Sequence, residues 1–179
     1  MLTRILIAVA VILIVCVVVV AMQPSEFRIA RTAIIAAPAP AVFAQVNDLH
    51  KWETWSPWAK RDPAMRQAYE GALTGTGAIY TWAGNSEVGE GRTTITESRP
   101  SDLIRIKLEM MKPFAATNTV EFTFKPDGNQ TAVTWSMTGD RNFMAKAVGL
   151  VMNMDKMVGG DFEKGLAQMK SVVEAASKQ

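Results

Sequence analysis

The run from Ile5 to Met22 constrains this chain more than any other feature, because it carries no charge and is almost wholly Val, Ile, Leu and Ala. As a helix rising about 1.5 Å per residue it would be roughly 27 Å long, close to the hydrocarbon thickness of a bilayer. In water such a run cannot hide its surface. In lipid its backbone polar groups satisfy one another only as a helix. A cleaved signal peptide calls for a shorter apolar core and a small-x-small cleavage site, and Val19-Val20-Ala21 before Met22 is a poor one. A lipoprotein signal through Cys16 is disfavoured because valines, not a polar linker, follow it. The preferred reading is an uncleaved, single-pass transmembrane helix, with residues 1–25 forming the anchor and the short spacer Gln23-Pro24-Ser25. Arg4 and the terminal amine precede the run, and Arg28 and Arg31, offset by Glu26, follow it. The positive-inside count therefore barely discriminates. The very short tail before the anchor points to a soluble domain outside the cytoplasm, on the periplasmic side.

Residues 26–176 suit one domain with a sizeable core, followed by a tail at 177–179. The chain has 19 basic and 17 acidic residues, and only Arg4 lies before the apolar run. The soluble part is thus nearly neutral, which excludes the clustered positive charge of a nucleic-acid surface. The single cysteine, Cys16, sits inside the anchor, so the domain holds no disulfide, cysteine nucleophile or zinc–thiolate site. No Ser-His-Asp order, metal-ligand cluster or phosphate-binding glycine loop can be assembled, and neither a metal nor a cofactor is expected.

Hydrophobic periodicity orders the domain. Residues 26–36 read as a first strand. Pro38 and Pro40 end it and can open a short helix over Ala41–Val46. Asn47 or Asp48 can cap a second short helix carrying His50, Trp52 and Trp55, which Ser56-Pro57 stops. Residues 103–110, 119–125 and 131–138 alternate apolar and polar side chains, the period of antiparallel strands with one buried face. Pro126-Asp127-Gly128-Asn129 is a hairpin turn. Residues 77–83 and 86–98 add two strands joined through Gly84-Asn85, and 65–71 forms a short edge strand. From Asn142 the period lengthens: Val151, Met154, Val158, Phe162, Leu166, Met169 and Val173 make one stripe on a long helix. Gly159-Gly160 interrupts it and implies a kink or a close contact with the sheet. A curved antiparallel sheet must cover its apolar face, and this helix is the only long element available. The class is α+β, with an interior cavity expected.

In three stretches the chain resembles the SRPBCC (START/Bet v 1-like) superfamily, in its polyketide cyclase/dehydrase-like branch. They are Ile35-Ala-Ala-Pro-Ala-Pro-Ala-Val-Phe43, the Trp-rich Asp48-Leu-His-Lys-Trp-Glu-Thr-Trp-Ser-Pro-Trp58, and Gly77–Gly91 with Tyr80, Trp82, Gly84-Asn85 and Val88-Gly-Glu-Gly91. The helix Met152–Lys170, with Gly160-Asp161-Phe162-Glu163, fits the superfamily's end. The resemblance implies a helix-grip fold, a curved antiparallel sheet wrapped around a long C-terminal helix, with two short helices after the first strand. It says little about chemistry, since the superfamily holds lipid carriers, steroid binders and cyclases.

Trp52 and Trp55 share a helix face, while Pro57 re-aims Trp58. They are expected to cap the core or to gate the cavity, with Trp55 placed to do both. Tyr80, Trp82, Met110, Phe122, Trp135 and Met137 should face inward, joined by Met154 and Val158 from the helix. Asn85 and Asn118 are the polar candidates, alongside Tyr80. Flexible methionines at 152, 154, 157 and 169 suit irregular space. His50, the lone histidine, lies beside Asp48 and Lys51 and reads as a solvated side chain. The expected partners are a hydrophobic small molecule or lipid and, through the N-terminal helix, a membrane. No catalytic residue is assigned. The alternatives are a cyclase/dehydrase-like enzyme, for which Tyr80, Arg105 and Glu97 are the available groups, and a non-enzymatic scaffold with a filled cavity.

The anchor is testable directly. Full-length protein should sediment with membranes and resist alkaline carbonate extraction, and recovery of intact chain in the soluble fraction would remove it.

Overall fold

Alternation becomes a sheet wherever it persists. In the computed structural model, which describes residues 1–177, an N-terminal helix α1 (Leu2–Ala21) precedes the domain. Then come β1 (Glu26–Ile35), α2 (Ala39–Asn47), a 3₁₀ turn (Leu49–Lys51) and α3 (Trp52–Trp55). Six more strands follow: β2 (Arg66–Gly71), β3 (Ala78–Ala83), β4 (Glu90–Arg99), β5 (Leu103–Lys112), β6 (Ala116–Asp127) and β7 (Gln130–Asp140). Two helices, α4 (Phe143–Val151) and α5 (Met154–Ala176), end the described chain. All strand pairs are antiparallel, in the order β1-β7-β6-β5-β4-β3-β2. This is the helix-grip fold, and of the expected tail only Ser177 lies within the described residues.

Antiparallel register gives the sheet two unlike ends. Glu26 faces Asp140, Asn118 faces Gly139, Met110 faces Ala116 and Glu90 faces Lys112. The end where the chain arrives from α1 therefore also carries the β3–β4 and β5–β6 turns and the exit into α4. We call it the proximal end. The distal end carries the β2–β3, β4–β5 and β6–β7 turns and is filled. Val42, Phe43 and Val46 of α2 meet Ile95, Ile104, Phe124 and Val133 of the sheet and Leu166, Met169 and Val173 of α5, all buried.

The long helix expected from Asn142 is two helices. Asn142 accepts a hydrogen bond from Ala145 N (2.8 Å) and Asn153 one from Lys156 N (2.9 Å), so each caps its own N-terminus. The break at Met152-Asn153 leaves Val151 off the stripe and 85 % exposed. The strand expected from residue 86 begins at Glu90, because Asn85 Oδ1 accepts from Glu87 N and Val88 N and holds Asn85–Gly89 as a turn. The second short helix opens as the 3₁₀ turn, with Asp48 accepting from His50 N.

Helix α5 runs unbroken through Gly159-Gly160, and the two glycines differ. A Cβ at Gly159 would collide with the Arg31 guanidinium, whereas one at Gly160 would meet nothing within 4 Å. Arg31, on β1, donates to Asp155 (2.9 Å) and Glu163 (2.6 Å) and so straps α5 to the sheet edge. Gly160→Ala should therefore stabilise the domain by about 0.5–1 kcal/mol, the helix-propensity gain. Gly159→Ala should forgo that gain and lower the melting temperature, because the strap must move. Equal effects in thermal denaturation would refute this division.

Candidate functional site

The proximal half of the interior is open. A cavity of about 410 Å³ lies between the concave sheet face, α3 with the segment after it, and the first turns of α5. Trp52, Trp58, Tyr80, Trp82 and Trp135 supply aromatic wall, and Met110, Met137, Met154 and Val158 supply aliphatic wall. Volume and lining are those of a small-molecule pocket.

Its floor is a stack. Trp135 on β7 lies flat on Phe162 of α5 (centroids 4.2 Å, planes 9° apart) and against Phe122 (4.8 Å), with Trp58 edge-on to Trp135 at 5.8 Å. Along the far wall Tyr69, Tyr80 and Trp82 pack in series at 5.2 and 5.6 Å. Trp82 lies over Gly91 of the next strand, where a Cβ would sit 2.5 Å from its ring. Glycine at that position lets the indole lie flat on the sheet. The indole N–H groups of Trp52 and Trp82 donate to Val46 O and Val88 O, each at 3.0 Å. Trp135 Nε1 is buried without a hydrogen-bond partner among the described residues.

Polar groups on the wall are few: Glu53, Ser56, Gln67, Thr93, Asn118 and the two phenols among them. Tyr69 Oη donates to Glu53 at 3.1 Å. Burial, and then the Glu53 carboxylate, push the Tyr80 phenol up to about 12. The same two causes raise Tyr69 well above the usual phenol range. Desolvation disfavours the phenolate, as does a neighbouring negative charge. Both tyrosines are hydrogen-bond donors at neutral pH, not bases. Among the described residues no cluster of His, Cys, Asp and Glu could hold a metal ion.

Of the twelve residues named from the sequence, the structure brings nine together on this wall: Trp52, Tyr80, Trp82, Met110, Asn118, Trp135, Met137, Met154 and Val158. Trp55 and Phe122 are fully buried beneath it, outside the lining. Trp55 is core only: its N–H reaches Gln45 O at 3.0 Å and its ring packs on Trp52, Phe122 and Trp135. Asn85 is consumed by the β3–β4 turn. Trp58, re-aimed by Pro57, also joins the wall, wedged on Trp135 and Phe162. Arg105 and Glu97 pair with each other on the outer face of the sheet, with Glu121 completing the network, so neither reaches the cavity. His50 stacks on Tyr69 (4.0 Å) outside it.

Sequence reading missed Gln67 and Tyr69 of β2. Their signal was pairing: Tyr69 faces Tyr80 and Gln67 faces Trp82, so once β3 is known to turn its aromatics inward, β2 follows.

The family model described as "Polyketide cyclase / dehydrase and lipid transport" matches residues 26–174. No curated protein matches the sequence. Among solved structures the chain is similar to TTHA0849 from Thermus thermophilus, with 18 % identity, TM-score 0.61, and 84 % of this chain and 99 % of that one covered. It is also similar to the di-domain ARO/CYC StfQ from the steffimycin biosynthetic pathway (12 %, TM-score 0.64, 87 % and 53 % covered). Ara h 8.0201 is another structural neighbour (11 %, TM-score 0.55, 84 % and 99 % covered). At these identities the likeness is one of fold.

The raised phenols give a pH signature, clean because the chain has only two tyrosines. A phenol whose folded pKa exceeds its unfolded value near 10 contributes stability below that value and loses it as pH rises toward the folded value. Phenolate absorbance near 295 nm should stay silent through pH 10–11 in the folded protein. It should rise together with loss of near-ultraviolet circular dichroism as the pH approaches 12. Titration at pH 10 with the fold intact would show that the phenols are solvated.

Proposed function

The chain belongs to the polyketide cyclase/dehydrase and lipid transport family, and on that premise we propose that it binds a hydrophobic small molecule or lipid while tethered to a membrane. The observation that carries this is the 410 Å³ cavity itself, open inside a closed fold and walled mainly by aromatic and aliphatic side chains. Residues 26–176 form the binding domain in this reading, and residues 1–25 the anchor and spacer, with the domain on the periplasmic side. Helix α1 is long and apolar enough to cross a bilayer, although a signal sequence would meet the same criterion.

Recognition rests on shape and apolar contact. Few polar groups face the ligand, and the tyrosines offer it protons to share. A cyclase or dehydrase reaction needs a general base poised near neutral pH. The carboxylates on this wall are Glu53, which already accepts from Tyr69, and Glu87 in the β3–β4 turn at its rim. The Tyr69–Glu53 hydrogen bond is the observation that favours catalysis. The open volume weighs against a scaffold with a filled core.

Binding should be read with N-phenyl-1-naphthylamine on the full-length protein in detergent, by dye fluorescence and tryptophan quenching, with native mass spectrometry for any co-purified apolar molecule. One saturable site is expected. Trp82→Ala and Trp58→Ala should each weaken it about fivefold or more, the loss of roughly 1 kcal/mol of aromatic contact. Val158→Trp, which fills the cavity, should abolish it, and Arg105→Ala on the outer face should leave it unchanged. Melting temperatures measured alongside separate lost binding from lost fold. A site indifferent to Val158→Trp lies elsewhere, and absence of any binding returns the scaffold reading.

A further inference from the structure

The proximal end carries an apolar surface that the binding reading does not use. Helix α4 has one charged residue, Lys146, and every other position is apolar or glycine. None of its residues is buried: Met144 is 65 % exposed, and Phe143, Leu150 and Val151 are exposed too. Phe114, in the β5–β6 turn at the same end of the sheet, is 76 % exposed. A nine-residue helix cannot present such a surface to water without cost, and patches of this kind mark an interaction site.

Its position says what covers it. Lys146 Nζ donates to Ser25 Oγ (3.0 Å) and Arg141 N to Ser25 O (2.6 Å), so α4 starts against the spacer that follows α1. Helices α1 and α4 touch, and the one buried residue of α1 is Val20, next to its C-terminus. A membrane-crossing α1 therefore sets α4 at the level where the apolar span ends. A short apolar helix there lies in the headgroup–acyl boundary. The charges nearby are mixed, with Arg28, Arg141 and Lys146 against Glu26, Glu87 and Asp140, so attraction to anionic lipid is not required.

The cavity meets the same end. Its lining residues Glu87, Ala116 and Met154 are exposed and belong to the β3–β4 turn, the start of β6 and the α4–α5 junction. A second exposed stretch of lining, Glu53 and Gln67, lies between α3 and β2. We propose that α4 and Phe114 dock the proximal end of the domain onto the bilayer that holds α1, so that the opening beside Met154 faces lipid and the ligand is a membrane-dissolved amphiphile that enters without crossing water. This rests on the tethered-binder reading above.

The test uses the full chain in phosphatidylcholine nanodiscs with Cys16, the only cysteine, replaced by alanine. Single cysteines at Met144, Phe114, Leu73 and Val11 carry a nitroxide, and collision rates with oxygen and with a water-soluble nickel chelate are measured. Leu73 is exposed in the distal β2–β3 turn and serves as the aqueous reference, while Val11 reports the middle of α1. Labels at 144 and 114 should collide with nickel at least fivefold less than the label at 73 and favour oxygen, as at Val11. If 144 and 114 match 73 while Val11 reads lipid, the docking proposal fails and the tether stands. If Val11 itself reads water, the tether fails and takes the docking with it. Protection from both reagents with spin–spin broadening at 144 would assign the surface to a second copy of the chain and overturn the proposal. Phenylnaphthylamine binding on the same nanodiscs shows separately whether the cavity reading holds.

Discussion

The contact between Trp135 and Phe162 divides this domain. One ring comes from the last strand and the other from the long helix, and they lie nearly parallel in van der Waals contact. Below them, toward the distal end, α2 and the aliphatic stripe of α5 meet the sheet at the close packing typical of a protein interior. Above them the helix and sheet are held apart. Three further rings lean on this stack, those of Trp55, Trp58 and Phe122. The plug is thus wide as well as thick, and it serves as both the roof of the core and the floor of the cavity.

The space above the plug stays open because α5 is fastened elsewhere. Arg31 on the edge strand β1 holds Asp155 and Glu163, about two turns apart on the helix, and its hydrogen bond keeps the Asp155 carboxyl below the usual carboxylate range. Gly159 leaves the guanidinium room to lie across the helix. The first turns of α5 are thereby strapped over β1, and the helix packs chiefly along that strand. Strands β3 to β5 face the gap with the large rings of Tyr80 and Trp82 and the flexible Met110. Exposed ion pairs are individually weak, so this strap directs the helix more than it stabilises it.

Most of the architecture was legible because period-two alternation survives in every central strand, and because the switch to a helical period after Asp140 is sharp. The errors cluster where one local signal had two uses. Asn142 reads as the start of one continuous stripe, but Asn153 within that stripe is a second N-cap, and two caps make two helices. Trp55 and Trp58 look equivalent from spacing. Pro57 separates them, yet the direction in which it sends Trp58 depends on Trp135 and Phe162, far away in sequence. Arg105 is a cavity candidate only when counted as a charged residue near the core. Strict alternation with Ile104 and Ile106, both buried, already places it outside. The volume of the cavity was not legible at all, since it depends on the strap between β1 and α5.

On the proposed reading of α1 as a tether, the spacer limits what the domain can do. Between Ala21 and Glu26 lie four residues, which at no more than about 3.6 Å each span roughly 14 Å. Part of that length is already fixed by the bonds from Ser25 to Arg141 and Lys146. A domain so held cannot swing between two membranes, nor follow a ligand into solution. On that reading it would sample only the leaflet at its own base. Modest affinity would then suffice, because a membrane-dissolved ligand would be concentrated in that leaflet and the cavity would compete with lipid, not with water. A pocket lined by Met110, Met137 and Met154, soft and adaptable, fits such competition better than one built from rigid polar contacts. Handing the ligand onward would require a second protein to come to the membrane surface. The stretch of wall away from the proximal end, between Glu53 and Gln67, is where such a transfer could take place.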